Sequence, residues 1–315
     1  MPFETGLFTN DDFLQIENTL YQPKEEELAH RKIFGLNTTY ARYAEEIGYD
    51  YYQREGSAKI LAKGGSAKDI PFVGEKGGRV TQKAYTIVSG IRYSKAEQEA
   101  IQAKRALGKG PAVQLDTIRV ASARRFINEK EAKIAFVGDT EYGIKGIFDS
   151  SFYGTGLGTK ERVATGVGGY TWALKTSQEI LTDLETAVNT VELNGLFKAR
   201  TLVVSPQHYN RLRKPFSATG DSRTLLTWLN SEGMFFEQIV VTNQMLSTYN
   251  GDTNSYNYFM VLDNDPEVVQ LALLFDIELG DALYDIVGTM EQAAMLKTGG
   301  IMLRHPSAVY IGTDI

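Results

Sequence analysis

LDTIRVASARRFINEKEAKIAFVGDTEYGIKGIFDSSF, residues 115–152, is the stretch whose reading decides the fold. Val120, Ala123, Ile127 and Ile134 recur at spacings of three, four and seven, which makes one narrow apolar stripe on a helix. Arg124, Arg125, Glu129, Lys130, Glu131 and Lys133 are expected to cover the rest of its surface. Glu129 stands four residues ahead of Lys133, the favourable order for an ion pair along a helix. Asp116 is a candidate N-cap and Gly138 a candidate stop. The pattern predicts one long, highly charged helix over about 116–138, a structural spar rather than an ordinary core helix. It empties into a glycine-punctuated loop, Tyr142-Gly143-Ile144-Lys145-Gly146-Ile147, in which Gly143 and Gly146 are singled out.

Upstream, residues 1–28 lack sustained periodicity and predict an extended arm with a short helix at Asn10–Leu20. Strand-like runs at Lys59–Ala62 and Lys83–Tyr93 flank a long polar segment that contains Gly64-Gly65, Asp69-Ile70-Pro71-Phe72-Val73-Gly74 and Gly77-Gly78. This segment has too few apolar residues for a core of its own. An isolated two-stranded hairpin is marginal in water, so its stability has to come from packing on something else, such as a neighbouring subunit. Ser94-Lys95-Ala96-Glu97 reads as a capping box that opens a helix running to Leu107.

Downstream, Gly154–Gly169 reads as a flexible glycine-rich stretch. Thr176-Ser177-Gln178-Glu179 is a second capping box, ahead of an amphipathic helix carrying Ile180, Leu184, Ala187, Val188 and Val191. Strands are predicted at Arg200–Val204, Gln238–Thr242, Tyr258–Leu262 and Val268–Phe275, with Ser205-Pro206 starting a helix and another near Thr224–Asn230. These form a compact α/β unit. The tail, Thr289–Ile311, reads as strand segments broken at Gly299-Gly300 and His305-Pro306.

Composition narrows the function. The 315 residues carry 43% hydrophobic and 23% charged side chains, ordinary for a globular chain, and no apolar run approaches the ~20 residues that span a bilayer. The opening MPFETGLFTNDDF has acidic residues and no basic n-region, unlike a secretory signal, so cytoplasmic synthesis is expected. With no cysteine, disulfides, thiolate metal sites and cysteine nucleophiles are excluded. A net charge of −6 argues against broad affinity for nucleic acid, which needs clustered Lys and Arg. The chain holds 17 tyrosines against 2 tryptophans, a bias that suits either interfaces or a β-rich fold.

Chemistry is largely missing from the pattern. Gly154-Thr155-Gly156-Leu157-Gly158 and Gly166-Val167-Gly168-Gly169 lack the spacing and the strand–turn–helix setting of a dinucleotide fingerprint. His30, His208 and His305 are scattered without metal-ligand spacing, and His208 reads as a helix-surface residue. Asp263-Asn264-Asp265-Pro266 suits a turn after a strand better than a cation site, and Glu278, Asp281 and Asp285 suit a solvated loop. No catalytic, cofactor-binding or metal-binding residue is assigned, and no cofactor is expected.

Ala132-Lys133-Ile134-Ala135-Phe136-Val137-Gly138, followed by Gly143-Ile144-Lys145-Gly146-Ile147, resembles the spine-helix exit and G-I-x-G loop of encapsulins and encapsulin-like tailed-phage capsid proteins. Asp69-Ile70-Pro71, with Tyr85, Ser94 and Glu97 after it, is similar to their E-loop-to-helix passage. The order of parts over residues 30–315 also resembles that family. The resemblance implies an α+β, HK97-like capsid fold. Its parts would be an N-terminal arm (1–28), a connecting segment (29–50), an E-loop hairpin (51–93), a P domain (94–159 and 285–315) with the spine helix, and an A domain (160–284). It implies a major head protein that self-assembles as pentamers and hexamers into an icosahedral virion shell. That shell would enclose DNA without sequence-specific binding, away from any membrane, after synthesis in the host bacterial cytoplasm. Scaffolding, portal and decoration proteins are the candidate partners.

On that reading Lys59, Lys63, Lys68, Asp69, Pro71, Phe72, Lys76 and Arg79 of the E-loop contact a neighbouring subunit. Some HK97-like capsids self-crosslink through a lysine and an asparagine; no such pair can be matched here, and no crosslink is expected. Encapsulins carry a cargo pocket formed with an N-terminal helix, whereas Phe3-Glu4-Thr5-Gly6-Leu7-Phe8-Thr9-Asn10-Asp11-Asp12 is more arm-like. An encapsulin-type compartment shell is the alternative within this fold, and a cytosolic α/β enzyme with a hairpin lid the alternative outside it.

Overall fold

The computed structural model describes residues 26–60, 70–106, 115–154, 158–192, 195–215, 223–230 and 236–315. The expected arm helix at Asn10–Leu20 lies outside them, as do Lys63, Lys68 and Asp69. The described chain begins with one helical turn, α1 (His30–Ile33), and a short strand, β1 (Gly35–Asn37). Strands β2 (Glu46–Glu55), β3 (Gly74–Lys83) and β4 (Tyr85–Tyr93) follow, then helices α2 (Lys95–Ala106) and α3 (Leu115–Phe136). After α3 come β5 (Gly138–Asp139), β6 (Ile144–Lys145) and β7 (Thr159–Arg162). Helix α4 (Ser177–Glu192), β8 (Thr201–Val204), α5 (Pro206–Leu212), α6 (Leu225–Leu229), β9 (Gln238–Val241) and β10 (Tyr258–Leu262) form the next stretch. The chain closes with β11 (Val269–Leu279), β12 (Leu283–Tyr284), β13 (Met290–Leu303) and β14 (Val309–Thr313).

Two compact units result, one built around residues 88–127 and 278–295, the other from 28–87, 128–277 and 296–315. In the larger unit a five-stranded sheet has the order β7-β14-β10-β8-β9. Its central strands β10 and β8 are buried at every position, because both faces of the sheet are covered there. Leu202, Val204, Phe259, Val261 and Tyr310 point to the side that holds α4 and Trp172. Their neighbours Val203, Tyr258, Met260, Leu262, Val309 and Ile311 point to the other side, against Phe34, Phe136 and Phe148. The two-residue period of a strand thus sorts one continuous apolar run into two cores. Phe136 and Phe148 bring the end of α3 and the loop after it into the second of these.

Local capping explains where the helices start. Ser94 N–H donates to Glu97 Oε2 at 3.0 Å while Glu97 N–H donates to Ser94 Oγ at 3.3 Å. Thr176 and Glu179 make the same reciprocal pair at 2.7 and 3.3 Å. Ser205 Oγ accepts from His208 N–H at 3.3 Å, with Pro206 at the first helical position. All three starts were readable from sequence.

Several expectations need correction. Of the strand expected at Lys59–Ala62, Lys59 and Ile60 carry no strand and Leu61 and Ala62 lie outside the described residues. The hairpin's first strand is Glu46–Glu55, and its partner is the glycine-rich Gly74–Lys83, which lacks the alternation that marks a strand. The supposedly flexible Gly154–Gly169 contains β7, which pairs in parallel with β14 from Thr159 to Arg162. Gly299-Gly300 does not break the last strands: β13 runs through both. A Cβ at Gly299 would lie 2.1 Å from Ile47 Cδ1, so glycine there admits the side chain of β2. His208 is buried, its Nδ1 2.6 Å from Ser205 Oγ, and burial holds its pKa down at about 4. Asp263 and its neighbours do form a turn, in which the Asp263 carboxylate accepts the Lys198 and Asp265 N–H groups at 3.0 and 3.2 Å.

Candidate assembly interface

β2 and β3 pair antiparallel over ten rungs, from Glu46 opposite Lys83 to Glu55 opposite Gly74. Nearly every residue of the ladder is exposed; Ile47, near the root, is the buried exception. Asp50 faces Arg79, whose guanidinium grips the carboxylate at 2.6 and 2.9 Å and holds its pKa below the usual range. Such an exposed pair sets register more than stability. Tyr51 lies opposite Gly78, and a Cβ on Gly78 would meet the tyrosine ring at 2.6 Å. Glycine in this strand therefore lets an aromatic ring lie across the ladder, a recognised compensation for its missing side chain. The hairpin carries exposed aromatics, Tyr52 and Phe72, the latter 87% accessible. Lys59 and Lys76 are also exposed, and Pro71 is half-buried.

The spine helix spans 22 residues, about 33 Å at 1.5 Å per residue. Asp116 falls inside its first turn, since the helix begins at Leu115, and the helix ends at Phe136, ahead of Gly138. Ala123, Ile127 and Ile134 are buried as the stripe predicts, and Val120 is half-buried. Arg124, Glu129 and Lys133 are exposed and Arg125 partly so. In the first half, Arg119 donates to Glu97 Oε1 at 2.7 Å and to the Arg92 carbonyl at 2.6 Å, and lies over the Tyr93 ring. The Arg119 guanidinium, with the Ser94 cap behind it, holds Glu97 down at about 2.

Glu131 is the main correction in the helix. It was expected in solvent and is 0% exposed. Its Oε2 lies 2.9 Å from His30 Nε2 and accepts from Arg31 Nε at 2.9 Å, and Arg31 continues to Asp276 Oδ1 at 3.0 Å. Those links tie α1, the spine and β11 together. A signal for it was present: Glu131 follows Ile127 by four residues and precedes Ile134 by three, so it sits on the apolar stripe itself. A charge there needs buried partners. Phe126 is the opposite surprise, an aromatic on the exposed side of the helix.

Past the helix the glycine loop returns as its cap. Ile147 N–H donates to the Ala135 carbonyl and Phe148 N–H to the Phe136 carbonyl, each at 2.9 Å. Both acceptors are among the last helical carbonyls, which have no partner within a helix. β5 and β6 pair Gly138 with Lys145 and Asp139 with Ile144 to hold the return in place. Gly138 has φ +83, and a Cβ on it would sit 2.4 Å from the Ile144 carbonyl oxygen. Gly146 is closer still: its Cβ would meet Gly138 N at 2.3 Å. Gly143 takes φ +68 in open space.

Among the described residues no group of three or more His, Cys, Asp or Glu side chains is placed to hold a metal. What the site offers is surface: a long uncovered hairpin, a 22-residue spine helix and a tightly folded corner at its end.

Among solved structures, the capsid of the Myoviridae phage XM1 matches with a TM-score of 0.78 at 11% identity, over 99% of this chain and 100% of that one. Microbacterium phage Oxtober96 matches at 0.66 with 12% identity, over 97% and 98%. A virus-like particle from Pyrococcus furiosus matches at 0.55 with 16% identity, over 89% and 90%. The likeness is one of fold, the HK97-like α+β architecture. No curated protein matches the sequence. The sequence does match the major capsid protein family across residues 56–315, and with the fold and the uncovered hairpin in agreement, the chain belongs to that family, a shell-forming one rather than a family of enzymes.

Proposed function

We propose that this major capsid protein is the head protein of a tailed phage, arranged as pentamers and hexamers around packaged DNA. The observation that carries this reading is the β2–β3 hairpin. It is ten rungs long, exposed along nearly its whole length, and studded with tyrosines. A ladder without a core gains stability only when another surface covers it, and in a shell of identical subunits that surface is another copy. The hairpin region 51–93 is assigned as the E-loop, 94–159 with 285–315 as the P domain and 160–284 as the A domain. The N-terminal arm covers 1–28. Lys59, Lys63, Lys68, Asp69, Pro71, Phe72, Lys76 and Arg79 are the assigned inter-subunit residues. Synthesis takes place in the bacterial host, with scaffolding, portal and decoration proteins as partners of the assembling head. The net charge of −6 fits a wall that confines DNA without gripping it.

Expression of the whole chain, followed by size-exclusion chromatography and negative-stain electron microscopy, tests the reading. Closed icosahedral particles are expected. A stable monomer or dimer under every condition tried would overturn it, and particles that purify with packaged protein instead of nucleic acid would move the chain to the encapsulin-type shells.

A further inference from the structure

A cavity of about 350 Å³ opens at the root of the hairpin, walled by Tyr49 of β2, Tyr142 of the glycine loop and Phe152. Gln82, Lys83 and Lys145 also line it. Gln82 Nε2 is buried there with no hydrogen-bond partner, a donor left unsatisfied at a cost. Lys145 leans over the Phe152 ring at 5.6 Å, and neither it nor Lys83 makes an ion pair among the described residues. Such a site suits an aromatic body accompanied by a carboxylate or another hydrogen-bond acceptor.

The other end of the same hairpin has that chemistry. Phe72 is 87% and Val73 75% accessible, and Glu75 and Glu55 lie on the adjoining last rungs. The tip cannot reach its own root. Glu55 is six residues along β2 from Tyr49, about 20 Å at 3.3 Å per residue, on a ladder paired at every rung between them. We infer that the tip of one copy's hairpin seats in the root cavity of the next, with Phe72 among Tyr49, Tyr142 and Phe152 and Glu75 facing Lys83 and Lys145. Tip and root are different patches, so the contact is head-to-tail and closes only as a ring. It rests on the shell-subunit reading and adds to it the receiving site.

The absence of native cysteine makes the test clean. Phe72→Cys protein is mixed with Lys145→Cys protein under assembly conditions with mild oxidant and run on non-reducing SDS gels. A band at twice the 35.0 kDa chain is expected in this mixture, and only background in Phe72→Cys mixed with Val167→Cys, a residue 99% accessible but outside the cavity. A chain carrying both Phe72→Cys and Lys145→Cys should give a ladder that ends at the ring size. Particles without crosslinking above the control would overturn the inference and leave the shell reading standing; no particles from the wild-type chain would overturn both. Should a cysteine variant fail to fold, charge exchange replaces it: Lys145→Glu should lose particles and Glu75→Lys on the same chain should restore them. Failure to restore would count against the pairing.

Discussion

At Gly146 a single added methyl group would lie 2.3 Å from the amide nitrogen of Gly138 and 2.4 Å from the carbonyl carbon of Val137. Those are backbone atoms at the end of the spine helix, and no side chain can swing aside to make room. Either the loop moves off and uncaps the Ala135 and Phe136 carbonyls, or the helix end distorts. Gly146→Ala should therefore cost about 3 kcal/mol or more, in the range of severe overpacking. Gly143 looks equivalent in sequence but has only its φ of +68 to lose, in open space. Gly143→Ala should cost about 1 kcal/mol, the usual penalty for a left-handed alanine. Denaturant melts of the two variants check this. Equal losses would mean that the close approach at Gly146 does not hold the corner together. The spacing of the two glycines was visible in the sequence; the difference between them was not, because it depends on which atoms the returning loop meets.

Among the elements, those governed by near neighbours in sequence were the readable ones. The capping boxes at Ser94 and Thr176 act over three residues, and the apolar stripe of α3 acts over a few turns, so both survive without knowledge of the fold. The hairpin was harder to read. Gly74–Lys83 contains three glycines and no apolar alternation, since neither face of it is buried within the subunit and nothing selects a period of two. Glu131 was misread for the opposite reason: its burial depends on His30 and Arg31, a hundred residues away. The register makes the hairpin separable from the rest. Gln53 lies opposite Lys76, so removing residues 54–75 and joining those two positions through Asn-Gly leaves eight paired rungs and the buried Ile47 at the root. The shortened chain should stay soluble, with a melting temperature within a few degrees of the parent's, and should form no closed particles in the microscope. Particles of normal size from it would show that the outer hairpin has no part in assembly.

For the whole molecule the question is whether its copies are held by covalent bonds or by contact alone. A lysine-to-asparagine isopeptide requires the ε-amine to lose its proton before it attacks the carboxamide and expels ammonia. Burial is what makes an amine give up that proton. Lys59 and Lys76 stand in solvent on the hairpin. The lysine whose pKa burial does lower is Lys160, and it is committed within its own subunit. It donates to the Phe148 carbonyl at 3.0 Å and lies against the Phe148 and Tyr258 rings. The described hairpin lysines thus remain solvated, whereas the two that are withdrawn from solvent are held within their own subunit, Lys160 by the Phe148 carbonyl and Lys175 by the Asp183 carboxylate at 2.6 Å. The shell should be held by packing and ion pairs alone. Purified particles boiled in SDS should run as one band near 35.0 kDa. A ladder of covalent multimers surviving that treatment would show that assembly buries a hairpin lysine beside a carboxamide, chemistry that the isolated subunit does not prepare.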